Sequence, residues 1–223
     1  MRTLREHGFN FSSMHTYQEW LDLFKQELFN IDAIQVAVLV LGVSEVLLAR
    51  ANNIWLYPTG IASVTLAIFS LFKVGLYAEC LLYGYYLIMS IYGWWYWSTK
   101  KGTAPVPITF SSRSEWYVTF AITFGGSIIL FLFLTSFTDS EVPAWDAWVS
   151  ATGWAGMWLL ARRKIENWLL LNISNAFAIP LLFQKGLPML ALLTIFLFVV
   201  ACIGYFSWLK VARKEITQGG VHV

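Results

Sequence analysis

From residue 31 to residue 209 the apolar residues of this chain fall in successive blocks of about 20, parted only by short polar clusters. A helix of about 20 residues crosses the roughly 30 Å hydrocarbon core of a bilayer. With no water there, a spanning segment must satisfy its own backbone hydrogen bonds, and a helix does so. Charge is scarce as well: 13% of the residues are charged, against roughly 25% in a soluble domain. The pattern excludes a water-soluble fold and predicts an all-α integral membrane protein.

Seven transmembrane helices are expected, at 31–50, 53–72, 76–98, 115–138, 143–161, 166–184 and 187–209. The second and sixth end in tight turns, Lys73-Val74-Gly75 and Gln184-Lys185-Gly186. Pro105 and Pro107 interrupt the longest linker, and Ser112 or Ser114 is placed to cap the fourth span. Ahead of the first span, Tyr17 to Phe29 reads as an interfacial helix with Trp20, Leu21, Phe24 and Leu28 on one face.

Positive charge orients the spans. One side receives Arg50, Lys100, Lys101, Arg113, Arg162, Arg163, Lys164, Lys210, Arg213 and Lys214; the other receives Lys73 and Lys185, with Arg2, Arg5 and Lys25 in the N-terminal arm. The richer side is expected to be cytoplasmic, with the C-terminus inside and the N-terminus outside. The basic residues form no stripe, so nucleic acid is not an expected partner; membrane lipid is.

The chain also carries a weak copy of itself. Trp55 matches Trp168 at a separation of 113, Lys73 matches Lys185 at 112, and Gly75 matches Gly186 at 111. Gly93 to Trp97 match Gly204 to Trp208, also at 111. The drift reads as one small deletion. Spans one to three are thus repeated by spans five to seven, with the fourth as linker: two parallel three-helix bundles joined by a linker helix in a 3+1+3 arrangement. The chain divides into an N-terminal arm (1–30), a first bundle (31–98), a cytoplasmic loop with linker helix (99–138), a second bundle (139–209) and a cytoplasmic tail (210–223). Internal repeats of this kind build secondary transporters, with the site near the midplane between the repeats.

Polar residues inside a span are costly and mark function. In the sixth span Trp168, Asn172 and Asn175 share a face. The second span offers Trp55, Thr59 and Ser63 in the same register, with Ser63 set against Asn175 at 112. Tyr86 stands near the middle of the third span, and Trp94 and Trp97 at its cytoplasmic end, where aromatic packing could form a gate. Glu45 in the first span either pairs with Arg50 or, with the aromatic faces, holds a cationic ring. These eight residues, Trp168, Asn172, Asn175, Trp55, Thr59, Ser63, Tyr86 and Glu45, are the candidate solute-binding set. No acid–base ladder crosses the spans, and no nucleophile stands beside a base, so neither a proton pump nor an enzyme is expected. Cys80 and Cys202 lie in apolar segments and His7, His15 and His222 in the tails, so no metal or cofactor site is expected.

The runs Ser90 to Trp97, Gly75-Leu76-Tyr77-Ala78 and Arg163-Lys164-Ile165-Glu166-Asn167-Trp168, with Trp145-Asp146 opening the fifth span, resemble the PnuC family of bacterial vitamin-precursor transporters. The resemblance covers about residues 31–215. It implies uptake of nicotinamide riboside across the bacterial inner membrane by facilitated diffusion, with phosphorylation inside the cell trapping the solute. It also implies a SWEET-like fold, and some members form homotrimers. Sister branches carry thiamine or riboflavin, and thiamine is a cationic aromatic like the riboside. Binding roles carry over to Trp168 and Asn175. Ser63 stands where some relatives have Asn, which leaves thiamine as the alternative solute.

Overall fold

The computed structural model describes residues 17–73, 75, 77–99, 106–138 and 140–219. Features expected at Arg2, Arg5, His7, His15, Val74, Leu76, Lys100, Lys101, Pro105, Asp139 and His222 lie outside these residues, as do the side chains of Trp20 and Glu79. Among the described residues the elements are helical: α1 (Tyr17–Asn30), α2 (Ala33–Arg50), α3 (Leu56–Lys73), α4 (Tyr77–Ser98), α5 (Arg113–Phe120), α6 (Gly126–Phe137), α7 (Pro143–Ala161), α8 (Asn167–Gln184) and α9 (Pro188–Gly219). A single π-helical turn, Ala121–Gly125, joins α5 to α6 into one continuous rod.

Local chemistry sets the ends. Asp32 caps α2 through a reciprocal pair with Gln35: its carboxylate accepts from the Gln35 N–H and the Gln35 carbonyl accepts from its own N–H. Ser112, not Ser114, caps α5, with Glu115 reaching back in the same way. Pro143 and Pro188 open α7 and α9, where a missing N–H costs nothing. Gly75 and Gly186 take positive φ, 79° and 70°, in the turns after α3 and α8. The last helix runs ten residues past its expected end at 209. Its final turns carry Lys210, Arg213, Lys214 and Glu215, so it continues as a polar helix where the apolar block stops.

Four stretches among the described residues are long and apolar enough to cross a membrane: Ala33–Arg50, Leu56–Lys73, Arg113–Phe137 and Pro188–Lys214. The others, α4, α7 and α8, carry their large residues as Tyr and Trp, or interleave Gly, Ser and Asn, and these lower the mean hydropathy.

Packing closes a circuit. Helix α2 packs on α3, α3 on α4, α4 on α7, α7 on α8 and α8 on α9, and α9 returns to α2. The α5–α6 rod leans on the outside of α7, and α1 on α9. The C-terminal ends of α2, α4, α7 and α9 meet at one end of this ring. There the Trp97 indole N–H donates to the Leu160 carbonyl (3.3 Å) and the Trp208 indole N–H to the Ala49 carbonyl (2.9 Å). Arg50, Arg113, Arg162, Arg163, Lys164 and Lys210 all fall at that end, whereas Lys73 and Lys185 terminate helices that run away from it.

Those two bonds are copies of each other at a constant separation of 111 residues, and the rule extends further. Asn52 and Arg163, also 111 apart, are the two non-glycine residues with positive φ among the described residues, 55° and 61°. Ser63 donates across to the Val38 carbonyl (3.0 Å), and Ser174 to the Val149 carbonyl (2.7 Å). This corrects the expected register. Tyr57, not Trp55, holds the place of Trp168. Ser174, not Asn175, is the counterpart of Ser63, and Asn175 answers to Val64. No deletion separates the copies; the drift came from pairing like residues one or two positions apart.

Candidate functional site

The largest cluster of buried side chains lies at the end where the four C-termini meet. Tyr57, Trp97, Trp208 and Trp168 form a continuous aromatic layer across the ring. Tyr57 meets Trp97 edge-to-face at 5.3 Å, Trp97 lies 5.9 Å from Trp208, and Trp208 meets Trp168 edge-to-face at 5.7 Å. Such contacts contribute about 0.5–1.5 kcal/mol each beyond the area they bury. The layer can form because Gly204 lets α9 approach the Trp168 indole. A methyl at Gly204 would stand 2.8 Å from three atoms of that ring, and Gly93 is crowded by Tyr57 in the same way.

Arg163 braces the layer from below. Its guanidinium lies 4.5 Å from the Trp97 ring centre and donates twice to the Asn52 side-chain carbonyl, at 3.1 and 2.8 Å. A cavity of about 380 Å³ opens beside it, lined by Ala51, Asn52, Asn53, Ile54, Trp97 and Arg163. This recess sits at the helix ends, on the far side of the aromatic layer from the middle of the ring.

The rest of the motif around Arg163 ties down the linker. Thr109 and Lys164 form a parallel bridge, the Ser111 N–H and hydroxyl donate to the Glu166 carboxylate, and Glu115 pairs with Arg162 (3.3 Å) and Lys164 (3.0 Å).

Inside the ring, the exposed face of each helix gives its outward direction, and residues half a turn away face inward. On α2 the exposed Val36, Val40 and Leu47 put Glu45 on the inner side. On α4, Leu81, Ile88, Ile91 and Trp95 face out, leaving Tyr86 inside. On α8, Leu169, Ala176 and Pro180 face out, and Asn175 is turned inward. Tyr86 reaches α7: its hydroxyl would stand 3.0 Å from a methyl built at Gly153. The carboxylate of Glu45 lies against Gly60. Among the described residues it makes no hydrogen bond or ion pair, so the pairing with Arg50 is absent.

The other expected site residues stand elsewhere. Trp168 is 1% exposed, with its indole N–H buried and unpartnered, and is part of the aromatic layer. Asn172 turns toward α9, where its amide donates to the Cys202 sulfur at 3.3 Å; its carbonyl oxygen is buried without a partner. Trp55 is 64% exposed ahead of α3. The Thr59 hydroxyl donates to the Trp55 and Leu56 carbonyls of its own turn, and Ser63 to α2. Of the two gate residues, Trp97 is buried in the layer and Trp94 is 44% exposed. Sequence reasoning passed over Tyr57, Trp208 and Arg163. The constant spacing of 111 would have found the first two; Arg163 looked like one more interfacial cation.

Helices around an interior that bears a carboxylate, a phenol and an amide, sealed at one end by aromatic rings, define a multi-pass membrane transporter. Comparison with known proteins gives the kind. The profile of the nicotinamide mononucleotide transporter family matches residues 32–210. The nicotinamide riboside transporter PnuC of Escherichia coli (strain K12) is 25% identical over 220 residues, covering 87% of this chain and 92% of that protein, and the protein of the same name from Shigella flexneri matches equally. A crystal structure of the vitamin B3 transporter PnuC superposes with a TM-score of 0.65 at 21% identity, over 88% of this chain and 89% of that one. The chain belongs to the nicotinamide mononucleotide transporter family, the family of the PnuC transporters.

Proposed function

We propose that this protein carries nicotinamide riboside across the bacterial inner membrane by facilitated diffusion. The observation that carries the reading is the family match over residues 32–210, which takes in every inward-facing group of the ring. In this reading all seven long helical segments span the bilayer. Residues 31–98 and 139–209 form two parallel three-helix units, residues 99–138 supply the linker, and the basic end is cytoplasmic. The solute sits in the middle of the ring against Glu45, Tyr86 and Asn175. The Asn175 amide bonds the carboxamide or ribose, since an amide both donates and accepts. Trp168 stays buried in the aromatic layer that floors the site, Ser63 and Asn172 tie the helices that frame it to α2 and α9, and Trp55 and Thr59 stand at the start of α3.

Transport follows from alternating access, the two units rocking about this fixed site. The contacts to be broken on opening the cytoplasmic end include the aromatic layer, the two indole bonds, the Arg163–Asn52 pair and the contacts of Arg162 with Tyr92 and Tyr96. The linker, bound through Ser111–Glu166 and Glu115, travels with the second unit. Released riboside is retained once phosphorylated in the cytoplasm.

Calorimetric titration of the purified protein in detergent with nicotinamide riboside, then thiamine, tests the solute. Binding of the riboside alone supports the reading. Binding of thiamine alone moves the protein to the sister branch, and binding of neither overturns the assignment. An Asn175→Ala variant that binds the riboside as tightly as the wild type would remove Asn175 from the site.

A further inference from the structure

At one packing point where the two units differ, the difference leaves a carboxyl group without a hydrogen bond or ion pair among the described residues. Gly156 on α7 gives room to Leu171 of α8: a methyl built at Gly156 would stand 2.8 Å from the leucine side chain. The counterpart of Gly156, 111 residues earlier, is Glu45, and the counterpart of Leu171 is Gly60. In the first unit the large and small residues have changed places. Glu45 of α2 now fills the gap, and its carboxylate lies against Gly60 of α3, where a methyl would stand 2.9 Å from Oε2.

A leucine would fill this gap without desolvating a charge, as it does in the second unit. A carboxylate inside a span is costly unless it is paired or faces a wet cavity. Glu45 faces the interior of the ring and remains partly accessible. No cation of the described residues pairs with it. Arg162, Arg163 and Lys164 are engaged at the ring's end, with Glu115, Asn52 and Thr109. Along α2 it stands one turn inside Ala49, whose carbonyl receives Trp208, so it lies just inward of the aromatic layer. A cationic group entering the ring would complement it.

We propose that Glu45 is the counter-charge of the site, selecting solutes whose aromatic ring carries a fixed positive charge over neutral rings of the same shape. The inference rests on the solute-binding reading above and deepens it: Tyr86 and Asn175 bind either kind of ring, and the carboxylate discriminates between them. A charge-assisted contact of this kind corresponds to roughly ten- to a hundredfold in affinity.

The test uses two solutes of matched shape, nicotinamide riboside, with its cationic pyridinium, and benzamide riboside, its neutral carbon-linked analogue. Each is titrated into the full-length wild type and into Glu45→Gln, with fold and monodispersity checked by gel filtration and thermal unfolding. The wild type is expected to favour the cation by about tenfold or more. Glu45→Gln should lose that preference while binding the neutral riboside within about threefold of the wild type. Equal binding of both solutes by the wild type, or a preference that survives in Glu45→Gln, overturns the counter-charge and leaves the site reading standing. Failure of the wild type to bind either solute overturns the site reading itself. Should Glu45→Gln not fold, Glu45→Asp keeps the charge but withdraws it by one methylene. It should weaken the cation severalfold and spare the neutral riboside; unchanged binding of the cation refutes the proposal.

Discussion

Replacing Trp208 by Phe should open the aromatic end of the ring. The Trp208 indole N–H reaches from α9 to the Ala49 carbonyl at 2.9 Å, joining the last helix of one unit to the first of the other. Phenylalanine cannot donate that bond. The Ala49 carbonyl is not orphaned, because it also accepts from the Asn52 N–H at 2.9 Å. The loss is therefore the net value of one hydrogen bond, about 0.5–1.5 kcal/mol, and not the larger desolvation penalty of an abandoned acceptor. The smaller ring also gives up contact with Trp97 and Trp168, which acts in the same direction. The ratio of open to closed forms should rise by about 2- to 12-fold or more. Trp97→Phe removes the equivalent bond to Leu160, which keeps the Arg163 N–H as its other donor. That bond is longer, 3.3 Å, so the effect should be smaller. Spin labels at Ala51→Cys and Leu169→Cys, with Cys80 and Cys202 replaced by Ala, report the distance across that end by double electron–electron resonance. A longer-distance population that grows in the order wild type, Trp97→Phe, Trp208→Phe is expected. No change in either variant, or a shift toward the closed distance, would refute the idea that these bonds hold the units together.

Further expectations follow from the same contacts. Gly204→Ala drives a methyl against the buried Trp168 indole and should destabilise the protein by about 1–3 kcal/mol, seen as a lower unfolding temperature in detergent. Glu115→Gln leaves Arg162 and Lys164 without their carboxylate in a site where Glu115 is 10% exposed; a loss of about 2 kcal/mol should appear as a lower unfolding temperature, with riboside affinity little changed by calorimetry. Asn175→Ala should weaken riboside binding by roughly tenfold. Asn172→Ala, whose amide turns to Cys202, should weaken it less.

Much of the architecture was legible because hydrocarbon imposes it. Apolar runs bounded by Asp32, Pro143, Pro188, Gly75 and Gly186 have few ways to begin and end, and the observed helices start and stop within about three residues of the expected spans, apart from α9. The repeat was legible through its glycines and Trp97/Trp208. Its register was not, because equivalent positions share a task and not a side chain: Tyr57 and Trp168 both pack against a glycine, although one is a phenol and the other an indole. The inner face was legible for Asn175 and Tyr86, which helical phase alone turns inward. Asn172, one turn from Trp168, was expected to look inward too, but helix–helix packing turns it to Cys202. Arg163 was illegible for a different reason. Its contacts, Asn52 and the carbonyl of Val106, come from segments 111 and 57 residues away, and no local pattern announces them.

Flux of labelled nicotinamide riboside into proteoliposomes containing the purified protein, with no ion gradient across the membrane, tests the central claim most directly. The riboside should enter until inside and outside concentrations are equal, and should accumulate beyond that only when a riboside kinase and ATP are enclosed. An absence of protein-dependent entry, or accumulation that requires an imposed ion gradient, would contradict facilitated diffusion of the riboside.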